Sequence, residues 1–126
     1  MTVVLLDTNM LLAPHQHGVD IFSEIERLVR EKHEISTLST VIAELKGLSA
    51  STKSEDGIAA NVGLRLITEK AVGVIPSHGP VDDAIVEYAA QNKAIVCTND
   101  RELKSRLREK ELIILSMRGK NHLEIA

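Results

Sequence analysis

Four acidic positions spread along the chain carry the chemistry this sequence can support: Asp7, Glu44, the pair Asp82-Asp83, and Asp100. Asp7 closes the aliphatic run Val3-Val4-Leu5-Leu6, and Asp100 follows a second such run, Ala94-Ile95-Val96-Cys97-Thr98. Uninterrupted short aliphatic runs fit strands covered on both faces, as in the middle of a parallel sheet. All strands of a parallel sheet end on the same side, and ligands bind there because loops and helix N-termini converge. Asp82-Asp83 opens a helical pattern after a third apolar run, and Glu44 lies one turn into a helical pattern after another. Acids far apart in sequence can therefore meet at one sheet edge. Carboxylates gathered in one place repel, so protons or cations must neutralise them. Ligands that are all oxygen select hard cations, here Mg²⁺ or Mn²⁺. A pair of such ions roughly 3.5–4 Å apart activates water and stabilises the leaving oxygen in phosphodiester hydrolysis. Singly, each acid also has a purely structural reading: Asp82 and Asp100 as helix N-caps, Asp7 in a turn, Glu44 solvated.

The elements that must position these acids follow from periodicity. A strand over 3–6 is followed by a helical turn and loop over 10–17, interrupted by Pro14. Residues 19–32 place Ile21, Phe22, Ile25, Leu28 and Val29 on one helical face. A short strand over 34–38 leads to a helix capped by Ser39 or Thr40, carrying Val41, Ile42 and Leu45 inward and ending near Gly47. The small polar stretch 49–57 reads as a loop, and 58–71 as a helix. A strand over 72–75, a helix from Asp82 to Ala90, a strand over 94–98, a basic helix to about Lys110 and a strand over 112–115 complete the pattern, with 118–126 as a tail or edge hairpin. This alternation predicts an α/β fold, a three-layer α/β/α sandwich around a five-stranded parallel sheet, formed by residues 1–126 as one domain.

Composition agrees. With 44% hydrophobic and 26% charged residues in 126, the chain is of ordinary globular make-up and long enough to bury a core unaided. Phe22 and Tyr88 are its only aromatics, which argues against a platform on which successive bases stack. The lone Cys97 cannot form an intramolecular disulfide, and no stretch approaches the roughly 20 apolar residues of a membrane span. A cytoplasmic protein without a membrane partner is expected. The net charge of −3 is unevenly spread: seven of fifteen basic residues fall between Arg101 and Lys120, against three acids, and the rest of the chain is acidic. His15 and His17 lack a third ligand nearby in sequence, and no serine-nucleophile, phosphate-loop or dinucleotide motif is present.

Four motifs in order, Leu5-Leu6-Asp7-Thr8-Asn9, Val41-Ile42-Ala43-Glu44-Leu45, Asp83-Ala84-Ile85-Val86-Glu87-Tyr88-Ala89 and Cys97-Thr98-Asn99-Asp100, resemble the acidic signature of PIN-domain ribonucleases across the whole chain. Asp7-Thr8-Asn9-Met10-Leu11-Leu12, Gly18-Val19-Asp20-Ile21-Phe22 and Thr98-Asn99-Asp100-Arg101-Glu102-Leu103-Lys104 are similar to the single-domain branch that processes precursor ribosomal RNA in the small-subunit processome. The resemblance implies an endoribonuclease dependent on Mg²⁺ or Mn²⁺, with Asp7, Glu44, Asp83 and Asp100 as catalytic metal ligands. Asp83 fits the motif through the small and aliphatic residues after it, and Asp82 stands as a cap, a supporting acid or an alternative ligand. Thr8, Asn9, Thr98 and Asn99 are expected to orient the ligands by hydrogen bonds. Arg101, Lys104, Arg106 and Arg108 are expected to hold RNA phosphates beside Asp100. The implied partners are RNA, including precursor ribosomal RNA, a second copy of the chain, and a ribosome-assembly protein or, for the related toxins, an antitoxin.

Two rival readings share the fold. A phosphorylation-controlled receiver domain carries its acidic pair after the first strand and a Lys after the fifth; here the pair follows the third, and Met117 and Arg118 follow the fifth. A non-catalytic RNA-binding or assembly subunit would keep the acids without cutting.

Overall fold

The computed structural model describes all 126 residues. The strands are β1 (Thr2–Leu6), β2 (His33–Leu38), β3 (Gly73–Ile75), β4 (Ile95–Cys97), β5 (Ile114–Arg118) and β6 (His122–Ile125). The helices are α1 (Thr8–His17), α2 (Ile21–Leu28), α3 (Ser39–Ser49), α4 (Glu55–Glu69), α5 (Val81–Asn92) and α6 (Arg101–Glu109). They form one sheet in the order β3-β2-β1-β4-β5-β6. The first five strands are mutually parallel, as the alternation predicts, and β6 adds a sixth, antiparallel to β5. The segment expected as a tail or hairpin is thus a hairpin, turned by Gly119 at φ +63°.

The chain winds from β1 outward to β2 and β3, then returns to β4 on the other side of β1 and continues to β5. The direction of winding reverses between β1 and β4, the kind of point at which open α/β sheets bind ligands. Asp7 and Asp100 leave the sheet on either side of that reversal. The aliphatic run reads as it should: Val4, Leu5 and Leu6 are fully buried, as are Val96 and Cys97 of β4. Helix α4 packs on α1 and α3 as one layer. Helices α5 and α6 pack together, α5 against β1, β2 and β4 and α6 against β5, giving the second.

Two local expectations shift. Residues 8–17 form a full helix through Pro14, because Met10, Leu11 and Ala13 are buried on its inner face and the missing N–H falls in the last turn, just before the left-handed cap at Gly18. Gly63 of α4 lets that helix approach α1 closely, since a Cβ there would lie 2.5 Å from the Leu11 carbonyl oxygen. Helix α4 also starts earlier than the apolar pattern suggests, at Glu55, because the Ser54 hydroxyl accepts the Gly57 N–H as an N-cap.

Candidate active site

Asp7 is the N-cap of α1 and is 3% exposed. Its backbone N–H donates to the Cys97 carbonyl at 3.1 Å, so it is fastened to β4 from the moment it leaves β1. One carboxylate oxygen, Oδ1, accepts the Thr8 N–H at 2.7 Å. The other, Oδ2, accepts from Asn9 Nδ2 and from the Thr98 hydroxyl, each at 2.8 Å. A carboxylate offers about four acceptor sites, so three hydrogen bonds fix its orientation and leave one lone pair for a ligand. Burial still raises its pKa above the ordinary aspartate value, against the lowering by Thr98 and Thr8 and with help from the negative charges of Asp82 and Glu44.

Asp100 caps α6, its Oδ1 accepting the Leu103 N–H at 2.8 Å, which leaves Oδ2 unengaged. Glu44 is exposed on α3, beside the buried Leu45, and its charge is felt by both Asp7 and Asp82. Asp82 is half-buried in the first turn of α5. Burial and then Asp100 raise its pKa, Arg106 opposes them, and Glu44 and Asp83 add to the rise. Asp7, Glu44, Asp82 and Asp100 therefore share one field of negative charge.

Asp83 is turned elsewhere. Its Oδ1 pairs with the Arg106 guanidinium of α6 at 2.9 Å, and both side chains are largely exposed. Successive residues on a helix point about 100° apart, so Asp82 and Asp83 leave α5 in different directions. Of the two, Asp82 is the half-buried one and Asp83 the exposed one. The ion pair with Asp83 also removes Arg106 from the four residues expected to be free for phosphates.

Whether a hard divalent cation suits these residues is answered by their chemistry. The donors are all carboxylate oxygens, two with raised pKa values that a cation would relieve, and the buried Thr8 hydroxyl next to Asp7 has no hydrogen-bond partner in the protein. No three His, Cys, Asp or Glu side chains stand at direct-ligation spacing. The arrangement fits an ion held by one or two carboxylates directly and by the others through water, the habit of Mg²⁺.

The sequence pattern of the family described as PIN like domain matches residues 4–120. The chain belongs to the PIN-like domain family. The resemblance read from the four acidic motifs is borne out. This PIN domain is 36% identical to Ribonuclease VapC4 of Methanocaldococcus jannaschii over 99% of its own length and 97% of the relative's. It is 27% identical to Ribonuclease VapC9 of Archaeoglobus fulgidus over 83% and 75% of the two chains. Among solved structures, the PIN domain endonuclease Utp24 superposes with a TM-score of 0.81 at 28% identity, covering 98% of this chain and 90% of that one.

Around the acids of this PIN domain, Asn9 and Thr98 are the side chains that hydrogen-bond to Asp7. Thr98, fully buried, donates to Asp7, and its oxygen accepts the Asp100 N–H at 3.1 Å, so one hydroxyl spans both strand-end acids. Asn9 Oδ1 accepts the Asn99 N–H at 3.0 Å, and Asn99 Oδ1 accepts the Met117 N–H at 2.9 Å, which ties the β4–α6 loop to β5. Thr8 contributes to Asp7 only through its backbone.

Sequence reasoning missed Ser77. Helix α3, which carries Glu44, has Leu38 at its N-cap position and no capping side chain of its own. Ser77, from the loop after β3, supplies the cap: its hydroxyl accepts the Thr40 N–H at 3.2 Å, and its N–H donates to the Ser39 hydroxyl at 2.9 Å. The loop that delivers Asp82 is thereby locked to the helix that delivers Glu44. Only the Pro76-Ser77 step, a polar residue where the apolar run stops, hinted at it in the sequence.

Helix α6 turns Leu103 and Leu107 inward and leaves Arg101, Lys104 and Arg108 as a stripe on another face, none of them in an ion pair. The stripe starts at the residue after Asp100.

Proposed function

We propose that this chain is a divalent-metal-dependent endoribonuclease in which Asp7, Glu44, Asp82 and Asp100 hold Mg²⁺ or Mn²⁺ where the sheet reverses its winding. The observation that supports it most is Asp7: a buried carboxylate, held by three hydrogen bonds, with its pKa raised and one lone pair left. A cation bound beside it would offset the cost of burying that charge. When bound, the ion supplies a water of lowered pKa and neutralises charge on the phosphate being cut. Asp7 and Thr98 fix the position of that ion, Asp100 and Asp82 approach from α6 and α5, and Glu44 borders the opening to solvent. Asp82 is the ligand of the pair in this reading because it is half-buried and lies in the field of Asp100 and Glu44, whereas Asp83 is exposed beside Arg106. Arg101, Lys104 and Arg108 grip RNA phosphates next to the acids, an interaction that orients the strand without reading its sequence.

Purified protein incubated with single-stranded and structured RNA should cut only with added Mg²⁺ or Mn²⁺ and stop when the metal is chelated. The Asp7→Asn variant should be folded and inactive; equal cutting by wild type and variant would sink the site.

For the target, the reading is precursor ribosomal RNA, supported by the likeness to Utp24 over nearly the whole chain and by Thr98-Asn99-Asp100-Arg101-Glu102-Leu103-Lys104. A toxin ribonuclease paired with an antitoxin is the second reading, favoured by the similarity to VapC4. Cleavage at defined positions in precursor ribosomal RNA supports the first; growth arrest on expression, relieved by the product of an adjacent gene, supports the second.

A further inference from the structure

One of the cavities on the surface lies against α5, the helix that carries Asp82. It holds about 170 Å³ between α5 and the loop after β3, with Ala84, Glu87, Tyr88 and Gln91 on one side and Ser77 and His78 on the other. The four α5 residues recur at three- and four-residue steps, so they form one stripe down the helix. Tyr88 is half-buried at its centre, and Glu87, Gln91 and His78 are exposed around it with their polar groups open to a ligand or to water. Ser77 cannot drift, because it is pinned to Ser39 and Thr40. One wall is therefore rigid and the other is a helix whose first turn carries Asp82.

We propose that this cavity is a nucleobase subsite, taking one unstacked base of the RNA strand and preferring bases with an amino edge over uracil. The inference rests on the nuclease reading above for the source of the base. Tyr88 is one of two aromatics in the chain, and the other, Phe22, is buried with Lys70 over its ring. One ring cannot make a platform for successive bases, but a single base stacks on a single tyrosine. The polar groups decide which base. Glu87 accepts and repels phosphate, so the cavity suits the exocyclic amine of guanine, cytosine or adenine, and the Gln91 amide can donate and accept beside it. Uracil carries no amine. Tyr88 lies six residues past Asp82, about 9 Å along the helix axis, which puts the base a short way along the strand from the bond cut.

Two measurements test this. In the first, a randomised single-stranded RNA pool is cut with Mg²⁺ and the cut positions are sequenced. Wild type should disfavour uracil at one fixed offset from the cut. Glu87→Gln should flatten that preference, and Tyr88→Ala should lower kcat/KM at preferred sites about five- to hundredfold, mostly through KM. Tyr88→Phe keeps the stack and should restore it, which separates lost stacking from damaged folding. Unchanged cut profiles in Glu87→Gln and Tyr88→Ala would overturn the subsite and leave the nuclease standing. In the second, binding of short RNA homopolymers is followed without divalent metal. A Tyr88-dependent preference against uridine there, in a protein that cuts nothing when Mg²⁺ or Mn²⁺ is added, would keep the subsite and overturn the nuclease. Mononucleotides binding as tightly as oligomers would overturn the RNA subsite in favour of a free-nucleotide site.

Discussion

The Thr98 hydroxyl donates to Asp7 Oδ2 at 2.8 Å and accepts the Asp100 N–H at 3.1 Å, so a single buried oxygen joins the two acids at the reversal point of the sheet. The two strands that make this possible are paired directly, Leu6 beside Cys97. Everything proposed for the site depends on Asp7 being held still, and Thr98 is the side chain that reaches it from the far end of the chain.

Thr98→Val keeps the volume and removes the hydroxyl. A hydrogen bond to a charged group contributes about 1.5–3 kcal/mol, and the Asp7 oxygen and the Asp100 N–H would both lose a partner. Thermal or denaturant unfolding should show a loss of about that size, with RNA cleavage reduced about ten- to a hundredfold. Thr98→Ser should recover most of both. A Thr98→Val protein as stable and active as wild type would show that the hydroxyl is incidental.

Asp82 and Asp83 are adjacent in sequence and opposite in expected effect. Asp82→Asn should lower kcat at least about a hundredfold, and its activity should respond less steeply to Mg²⁺. Asp83→Asn and Arg106→Ala each break the same exposed ion pair, worth about 0–1 kcal/mol, and should leave stability and cleavage close to wild type. Parallel rate and metal-titration measurements on the three variants decide which acid belongs to the site.

The stripe on α6 should behave as phosphate contacts do. Replacing Arg101, Lys104 or Arg108 by Ala should weaken RNA binding for every sequence alike, and each should reduce the slope of log K against log salt by about 0.7 for single-stranded RNA. Anisotropy titrations over a range of salt concentrations read this directly. Arg106→Ala, already committed to Asp83, should change the slope least.

Glu24 fastens the last strand. Its carboxylate accepts from Arg27 at 2.9 Å and from the Leu123 N–H of β6 at 2.9 Å, with His122 at 3.2 Å, and these partners, Arg27 foremost, hold its pKa down from 4.5 to about 2. Because the folded value lies below the unfolded one, the stabilisation is complete above about pH 4.5 and is lost as pH falls toward 2. Denaturant midpoints measured between those limits should fall with pH in wild type and fall less in Glu24→Gln. Amide exchange should show β6 loosening first in the variant.

Much of this molecule was legible in its sequence because burial writes a simple pattern. Strands covered on both faces must be aliphatic throughout, so Val3–Leu6 and Ile95–Cys97 announced themselves, and the acids that end them were visible as the points where the pattern stops. The same logic exposed α2 and α6 through their inward faces. Pro14 misled, since a proline in the last turn of a helix costs little and the packing of Met10 and Leu11 outweighs it. The hairpin of β5 and β6 stayed ambiguous because an edge strand is buried on few positions, here Leu123 alone.

The sequence by itself thus determined the order of elements, the aliphatic core and the set of acids at the strand ends, since these are properties of local pattern and burial. Tertiary structure alone decided the strand order that sets β1 beside β4, the pairing of Asp83 with Arg106, and the capping of α3 by Ser77. Each of these depends on which surfaces meet: a one-residue step on a helix turns a side chain by about 100°, and a cap lent from another loop leaves no local trace.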